Sequence, residues 1–216
     1  MATGFTIEQA REFQDRMVAA SGAVLVDRAT AMEIWGIAVA FDVLRAAKPS
    51  MGLPSGTEFR VHFSTTLGNR IYLATSVLDK PVELATMLTH EIGHVHQFDE
   101  GADPDDLVGG FPWPSEIAFP ILYLKDKRSL VKWECDCYAA GESVCRRLGG
   151  RPRTVADIVH SLSQSYNITT DAASLDVADK SLAMHWEMIR KSGRTNVWAA
   201  VTAHNILDEM GVPASL

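Results

Sequence analysis

Cysteine is scarce: the 216 residues hold three, Cys135, Cys137 and Cys145, all within eleven consecutive positions. An odd number so closely spaced makes a poor disulfide framework, so the chain reads as one for a reducing compartment. Positive charge is also short, with 20 Lys and Arg against 27 Asp and Glu, a net charge of -7. Without a basic patch to contact phosphates, nucleic acid is not expected as a partner. Long apolar runs are missing too. The most apolar stretch, AMEIWGIAVAFDVLRAA at 31–47, is interrupted by Glu33 and Asp42 and is short for a span, so it reads as a buried helix and not a membrane one. The N-terminal MATGFTIEQAREFQDRM has acids and amides where a secretion signal needs an apolar core. A cytoplasmic location with no membrane partner is therefore expected, and the sequon Asn167-Ile168-Thr169 carries little weight. Internal repeats and low-complexity segments are absent as well.

What is present is an ordinary globular composition, 47% hydrophobic and 22% charged. The length allows a substantial core. Helices are predicted over 6–20 and 27–47, separated by Ser21-Gly22, with Met32, Trp35, Val39 and Val43 recurring at helical spacing as a core stripe. A Pro/Gly/Ser-rich loop follows at 48–57. EFRVHFSTTL and RIYLATS, with Gly68-Asn69 between them, read as a β-hairpin. A helix starting near Pro81, a residue suited to a first turn, is predicted to run to about Phe98. A loop to Ser115, a helix from about Glu116 to Lys125, and a longer one from Ser129 to Leu148 come next. Further helices are predicted over 154–164, 171–191 and 195–210. The fold class is α+β, mostly helical, with a small antiparallel sheet or hairpin before the longest motif-bearing helix. One domain is expected, with an N-terminal helical part (1–57), a middle part (58–148) and a C-terminal helical part (149–216).

The middle part contains MLTHEIGHVHQFDE, residues 87–100. An α-helix turns 100° per residue, so His90 and His94 lie one turn apart on one face and can direct ring nitrogens at one ion. Glu91, next to His90 but angled off the ion, suits a carboxylate that takes a proton from an activated water. This H-E-x-x-H pattern is a signature of zinc proteases in which the Glu is the general base. Its context is apolar. Leu88, Ile92 and Val95 form one stripe, and Met87, His90, His94 and Phe98 form its neighbour, so the histidines stand on a largely buried strip. Imidazoles buried without partners are costly, and a metal is one way to satisfy them. Gly93, which costs up to about 1 kcal/mol against Ala inside a helix, hints at the close approach of another segment.

Two histidines do not hold a catalytic zinc; a third protein ligand is needed. The metzincin extension is excluded, because Gln97 and Glu100 stand where its glycine and third histidine belong. In SLVKWECDCYAAGESVCRRL (129–148), the residues Leu130, Glu134, Cys137, Tyr138, Gly141, Cys145 and Leu148 share one helical stripe. Glu134 is its one charged member, and a carboxylate in a core-facing stripe calls for something positive opposite it. Glu134 is the leading candidate. Glu116 at a helix start, Asp136 about 200° around the helix and Asp99 at the end of the motif helix are the alternatives. Cys135 and Cys137 also point about 200° apart on a helix, too far to share a metal.

THEIGHVHQ, followed some forty residues later by WECDCYAAGE, resembles the gluzincin class of zinc peptidases. In that class a Glu on a helix downstream of the H-E-x-x-H helix completes the site. Small members often show E-x-(D/N)-x-(F/Y)-A-A around that ligand, and here it stands as Glu134-Cys135-Asp136-Cys137-Tyr138-Ala139-Ala140. The resemblance covers roughly 58–148 and implies a small sheet before the motif helix. It implies a zinc-dependent peptidase, with zinc on His90, His94 and Glu134, Glu91 as general base, and a peptide or protein as substrate. One departure matters. Thermolysin-like members carry an Asp four residues after the ligand Glu, where this chain has Tyr138, so support for a ligand histidine must come from another residue. The alternative reading is a non-catalytic zincin-like module that binds metal and acts in protein–protein interaction.

Of the other candidates, His96 is expected to point away from the site, and His62, His160, His185 and His204 to be structural. Tyr138 is expected as a core aromatic, or as a hydrogen-bond donor to an oxyanion. The loop with Phe111-Pro112-Trp113-Pro114 is either a lid or a connector. Trp35, Trp133, Trp186 and Trp198 are expected to pack in the core.

Overall fold

The computed structural model describes residues 4–47, 55–101, 127–166 and 171–215. In chain order the elements are α1 (Ile7–Ser21), β1 (Val24–Leu25), α2 (Met32–Ala47), α3 (Gly56–His62), β2 (Thr65–Leu67), β3 (Arg70–Tyr72), a 3-10 turn (Thr75–Val77), α4 (Pro81–Gly101), α5 (Lys127–Arg147), α6 (Val155–Tyr166), α7 (Ala172–Ser192) and α8 (Trp198–Glu209). The described chain is mostly helical with one small sheet, an α+β arrangement. Among the described residues no helix is long and apolar enough to cross a membrane. The predicted helix at 116–125 and the loop with Phe111-Pro112-Trp113-Pro114 lie outside the described residues.

The helices begin where side chains can satisfy their first amides. Thr6 and Gln9 form a reciprocal capping box at α1, and Gly22, at φ 67°, closes its C-terminus. Asp171 accepts from the Ala173 and Ser174 amides at the start of α7. The helix predicted from residue 27 begins instead at Met32. Asp27 accepts from the Ala29 amide in a local turn, at 2.9 Å, which holds the chain out of the helix until that turn is complete.

The hairpin is present but shorter than predicted. β2 and β3 pair antiparallel across the turn at Gly68-Asn69, whereas residues 58–62 are the end of α3 and not a strand. The reason is local. Ser55 accepts from the Glu58 amide at 3.1 Å and Glu58 accepts from the Ser55 amide at 2.8 Å, a capping box that starts a helix where alternation alone predicts a strand. The sheet also gains a strand. β1 pairs parallel with β3, giving the order β1-β3-β2, so the sheet is mixed and not purely antiparallel.

Three apolar clusters hold these elements. The largest joins Phe13 and Met17 of α1, Leu84, Leu88, Ile92 and Val95 of α4, Val144 of α5 and Ala203 and Leu207 of α8. A second joins α5 to α6 and α7 through Val131, Cys135, Ile158, Leu162 and Leu182. The third lies between α2, α3 and the sheet, around Ile34, Ala38, Phe59 and Tyr72.

The third cluster corrects one expectation. The period read in α2 is right and its phase is wrong: Met32, Trp35, Val39 and Val43 are exposed by 83, 48, 58 and 62%. The buried stripe is the smaller one, Ala31, Ile34 and Ala38, because a Cβ on Gly56 would lie 2.5 Å from the Ala38 carbonyl oxygen. The start of α3 thus approaches the backbone of α2, which only small side chains permit. Trp35 is not a core residue; the Arg60 guanidinium stacks on its ring at 3.7 Å. Trp186 and Trp198 do pack against the apolar clusters, at their edges.

Candidate metal centre

α4 is amphipathic in an unusual way, with two buried faces of opposite character. One carries Leu84, Leu88, Ile92 and Val95 into the largest apolar cluster. The other carries His90 and His94 against α5. Small residues allow the two helices to cross closely. A Cβ on Gly93 would lie 2.7 Å from the Cys137 sulfur, and a Cβ on Gly141 would lie 2.8 Å from the Thr86 carbonyl oxygen. The requirement inferred for Gly93 is therefore met, and Gly141 supplies its counterpart on the facing helix.

That crossing brings the three expected ligands together. His90 Nε2 lies 3.6 Å from Glu134 Oε2, His94 Nε2 lies 3.5 Å from Glu134 Oε1, and the two Nε2 atoms are 3.2 Å apart. Four ligands held tetrahedrally about 2.0–2.1 Å from a zinc ion are separated from one another by about 3.3 Å. The observed spacings bracket that value, and the donor set of two imidazoles and a carboxylate is one that zinc takes. Among the described residues these three form the cluster of metal-ligating groups, their ligand atoms all within 4.8 Å of one another. Of the alternatives, Asp136 is bonded elsewhere, Asp99 is exposed at the end of α4, and Glu116 lies outside the described residues.

Burial sets the electrostatics. His90, His94 and Glu134 are exposed by 9, 8 and 3%, and Glu91 by 4%. His90 is held well below the usual imidazole range, chiefly by burial and then by the His94 and Arg153 charges, so its ring is neutral and able to ligate. Glu91 is pushed up, again chiefly by burial; the His94 charge and a hydrogen bond from Thr66 oppose this, and the Glu134 charge adds to it. A raised carboxyl value is what a group that must both take and return a proton near neutrality requires.

Several neighbours shape the site, and of these spacing in the sequence singles out Tyr138 alone. Thr66 on β2 donates from Oγ1 to Glu91 Oε2 at 2.7 Å, so the hairpin orients the carboxylate on α4. Arg28 is buried, and its guanidinium donates to the carbonyls of Phe59, Arg60 and Tyr72 at 2.7, 2.8 and 3.0 Å, locking α3 to β3. Burial lowers the Arg28 guanidinium, and Glu91 is the charge that opposes the shift. Tyr138 packs edge-on against His90, ring centroids 4.6 Å apart, and the Arg153 guanidinium lies 4.7 Å from the Tyr138 ring centroid. Arg153 is itself anchored on the buried Glu142, donating from Nε at 2.6 Å and from its amide at 2.9 Å. Gln97 bonds both His94 and the Trp133 carbonyl. The mid-chain Arg28 and the one-turn offset of Gln97 from His94 were the signals available.

No family model, curated protein or solved structure matches this chain. The remaining histidines take no part in the cluster. His96 stacks on Trp198 with ring centroids 4.6 Å apart, on the side of α4 away from His90. His62 and His160 are exposed. His185 lies between Asp136 Oδ1 at 2.8 Å and Thr195 Oγ1 at 2.7 Å. That Thr–His–Asp order resembles a nucleophile with its base, but Thr195 is 3% exposed and offers no face to a substrate. The three cysteines are unpaired and buried, as small apolar residues of one helix.

Proposed function

We propose that this protein is a zinc-dependent peptidase of the gluzincin type, with His90, His94 and Glu134 holding the metal and Glu91 as general base. The observation that carries this reading is the convergence of His90 Nε2, His94 Nε2 and the Glu134 carboxylate at 3.2–3.6 Å beside a buried carboxyl one residue from a ligand. Zinc bound there would supply Lewis-acid activation of a water and of the carbonyl under attack. The protein's own part is proton handling. Glu91, oriented by Thr66, accepts a proton from the attacking water and returns it to the leaving amine. Burial keeps its carboxyl high enough to serve in both directions. Tyr138 packs edge-on against the His90 ring, and Arg153 lies over Tyr138.

Glu91→Gln tests the reading. The variant is expected to bind about one zinc per chain, measured by elemental analysis, and to lose about 10²–10⁴-fold in hydrolysis of a peptide library. Unchanged turnover in that variant would sink the mechanism.

One observation favours a second reading, a closed metal site that braces two helices and serves protein–protein interaction. The His90 and His94 side chains are only 11 and 10% exposed and Glu134 3%, and structural zinc sites are closed to water. Under that reading the wild-type chain holds zinc and cleaves no member of the library.

A further inference from the structure

Gln97 follows His94 by three residues and so stands one turn along α4 on the same side. Its amide touches both helices. Oε1 lies 3.1 Å from His94 Nδ1, and Nε2 lies 3.0 Å from the Trp133 carbonyl oxygen on α5. A side-chain amide in isolation can be turned either way. Here one end decides, because a backbone carbonyl only accepts. The NH2 must face Trp133, and the amide oxygen must face His94. That oxygen only accepts in its turn, so His94 Nδ1 must carry a proton. Nε2 is then the ring nitrogen left to offer a lone pair, and it is the atom 3.2 Å from His90 Nε2 and 3.5 Å from Glu134. The Cys137 sulfur lies 3.5 Å from Gln97 Oε1 and 3.4 Å from His94 Nδ1; with the Nδ1 proton directed at the amide oxygen 3.1 Å away, the single thiol proton goes to that oxygen as well.

We propose that Gln97 is the positioning residue of the centre, fixing the tautomer of His94 from a backbone carbonyl and setting the ring against Glu134. This rests on the zinc reading above. Trp133 directly precedes Glu134, so one amide holds the second ligand by its ring and the third by its backbone. Metal-bound histidines are generally oriented through their other nitrogen, and losing that partner lowers metal affinity about 10–100-fold.

The test compares Gln97→Leu and Gln97→Glu in the full chain. Both remove the N–H given to Trp133, so both lose the tie between helices, but only the Glu variant keeps an acceptor facing Nδ1. In competition with a chromophoric chelator, zinc affinity is expected to fall about 10–100-fold in Gln97→Leu and to stay within about threefold of wild type in Gln97→Glu. Equal losses in the two variants would reduce Gln97 to a helix tie and overturn the proposal. In the metal-free protein, ¹⁵N–¹H spectra of the histidine rings are expected to show a proton on His94 Nδ1, retained in Gln97→Glu and lost in Gln97→Leu. An unprotonated Nδ1 in the wild-type chain overturns the proposal independently of any metal. If the wild-type chain takes up no zinc, the peptidase reading fails, and this spectrum still decides the role of Gln97.

Discussion

Two kinds of buried histidine coexist in the described part of this fold. His185 and His204 have partners at both nitrogens. His185 donates from Nε2 to Asp136 and is hydrogen-bonded at Nδ1 to Thr195. His204 accepts at Nδ1 from the Arg147 guanidinium, 3.3 Å away, and donates from Nε2 to Ser143, also at 3.3 Å. Each is a finished hydrogen-bonding unit that ties α5 to a later helix. His90 and His94 are arranged differently. His94 is held at Nδ1 by Gln97, while the Nε2 atoms of both rings turn inward on each other and on a carboxylate. Burial is alike in the two pairs; the direction of the lone pairs is not. A structural histidine spends both nitrogens on the protein, and a ligand histidine leaves one for something else.

Removing one residue from each kind of site breaks the comparison most sharply. Glu134→Ala takes away one of the ligands that would share the roughly 10–16 kcal/mol of a bound zinc, so affinity is expected to fall by about 3–4 kcal/mol, a hundredfold to a thousandfold. Its metal-free stability should hold or rise, because a buried carboxylate goes with it. His185→Ala is expected to do the reverse. Zinc affinity should stay near wild type, while denaturant unfolding shows a loss of about 2–4 kcal/mol from a cavity and from Asp136 and Thr195 left without their partner. If His185→Ala loses zinc and Glu134→Ala keeps it, the division of the histidines is wrong.

The same division explains what could be read without a structure. His90, Glu91, His94 and Glu134 were legible because chemistry and period coincide: i, i+4 imidazoles on a helix, and one acid in an otherwise oily stripe. Gly93 was legible as a close approach for the same reason. Thr66 and Arg28 were not, since each acts through a contact between elements that spacing along one element cannot show; Gln97 stood at a readable one-turn offset from His94, but its anchor on the Trp133 carbonyl lies on the facing helix. The hairpin was half legible. Alternation in EFRVHFSTTL spoke for a strand, and the Ser55–Glu58 capping box, which lies partly outside that alternation, decided for a helix. The facing of α2 failed for a related reason. Size pointed to Met32, Trp35, Val39 and Val43, whereas the close approach of Gly56 selects small residues, and the neighbour that imposes it is distant in sequence.

Acid sharpens the contrast at somewhat smaller magnitude. Burial, and then the charge of Arg147, hold His204 down to about 4 from an ordinary 6.5, with Arg194 adding to this and Asp208 opposing it. A base whose value is lowered by folding contributes stability that is complete above its unfolded value and is lost as pH falls towards the folded one. Between pH 6.5 and about 4 the unfolded chain binds the extra proton, so stability should fall by up to about 3 kcal/mol, roughly 6–12 °C in melting temperature for a chain of this size. His204→Gln should flatten that part of the slope in metal-free protein. A slope left intact in the variant would place the lost protons elsewhere, with His90 the first alternative.

The smallest expected effects test whether the centre owes its geometry to the crossing of α4 and α5. Gly141→Ala puts a methyl 2.8 Å from the Thr86 carbonyl oxygen, a backbone atom that cannot rotate away. The helices must part or bend, at about 1–3 kcal/mol of stability. Because His90 and Glu134 sit on the two sides of that crossing, zinc affinity should drop with it. Gly36→Ala is the matched control. A Cβ there meets nothing within 4 Å, on the exposed face of α2, so the change should stabilise by up to about 1 kcal/mol through helix propensity and leave zinc untouched. The two substitutions are chemically identical and both lie within helices, so opposite signs in denaturant unfolding would isolate the close approach as the cause. A stabilising Gly141→Ala would mean that α4 and α5 stand too far apart for Glu134 to share an ion with the histidine pair.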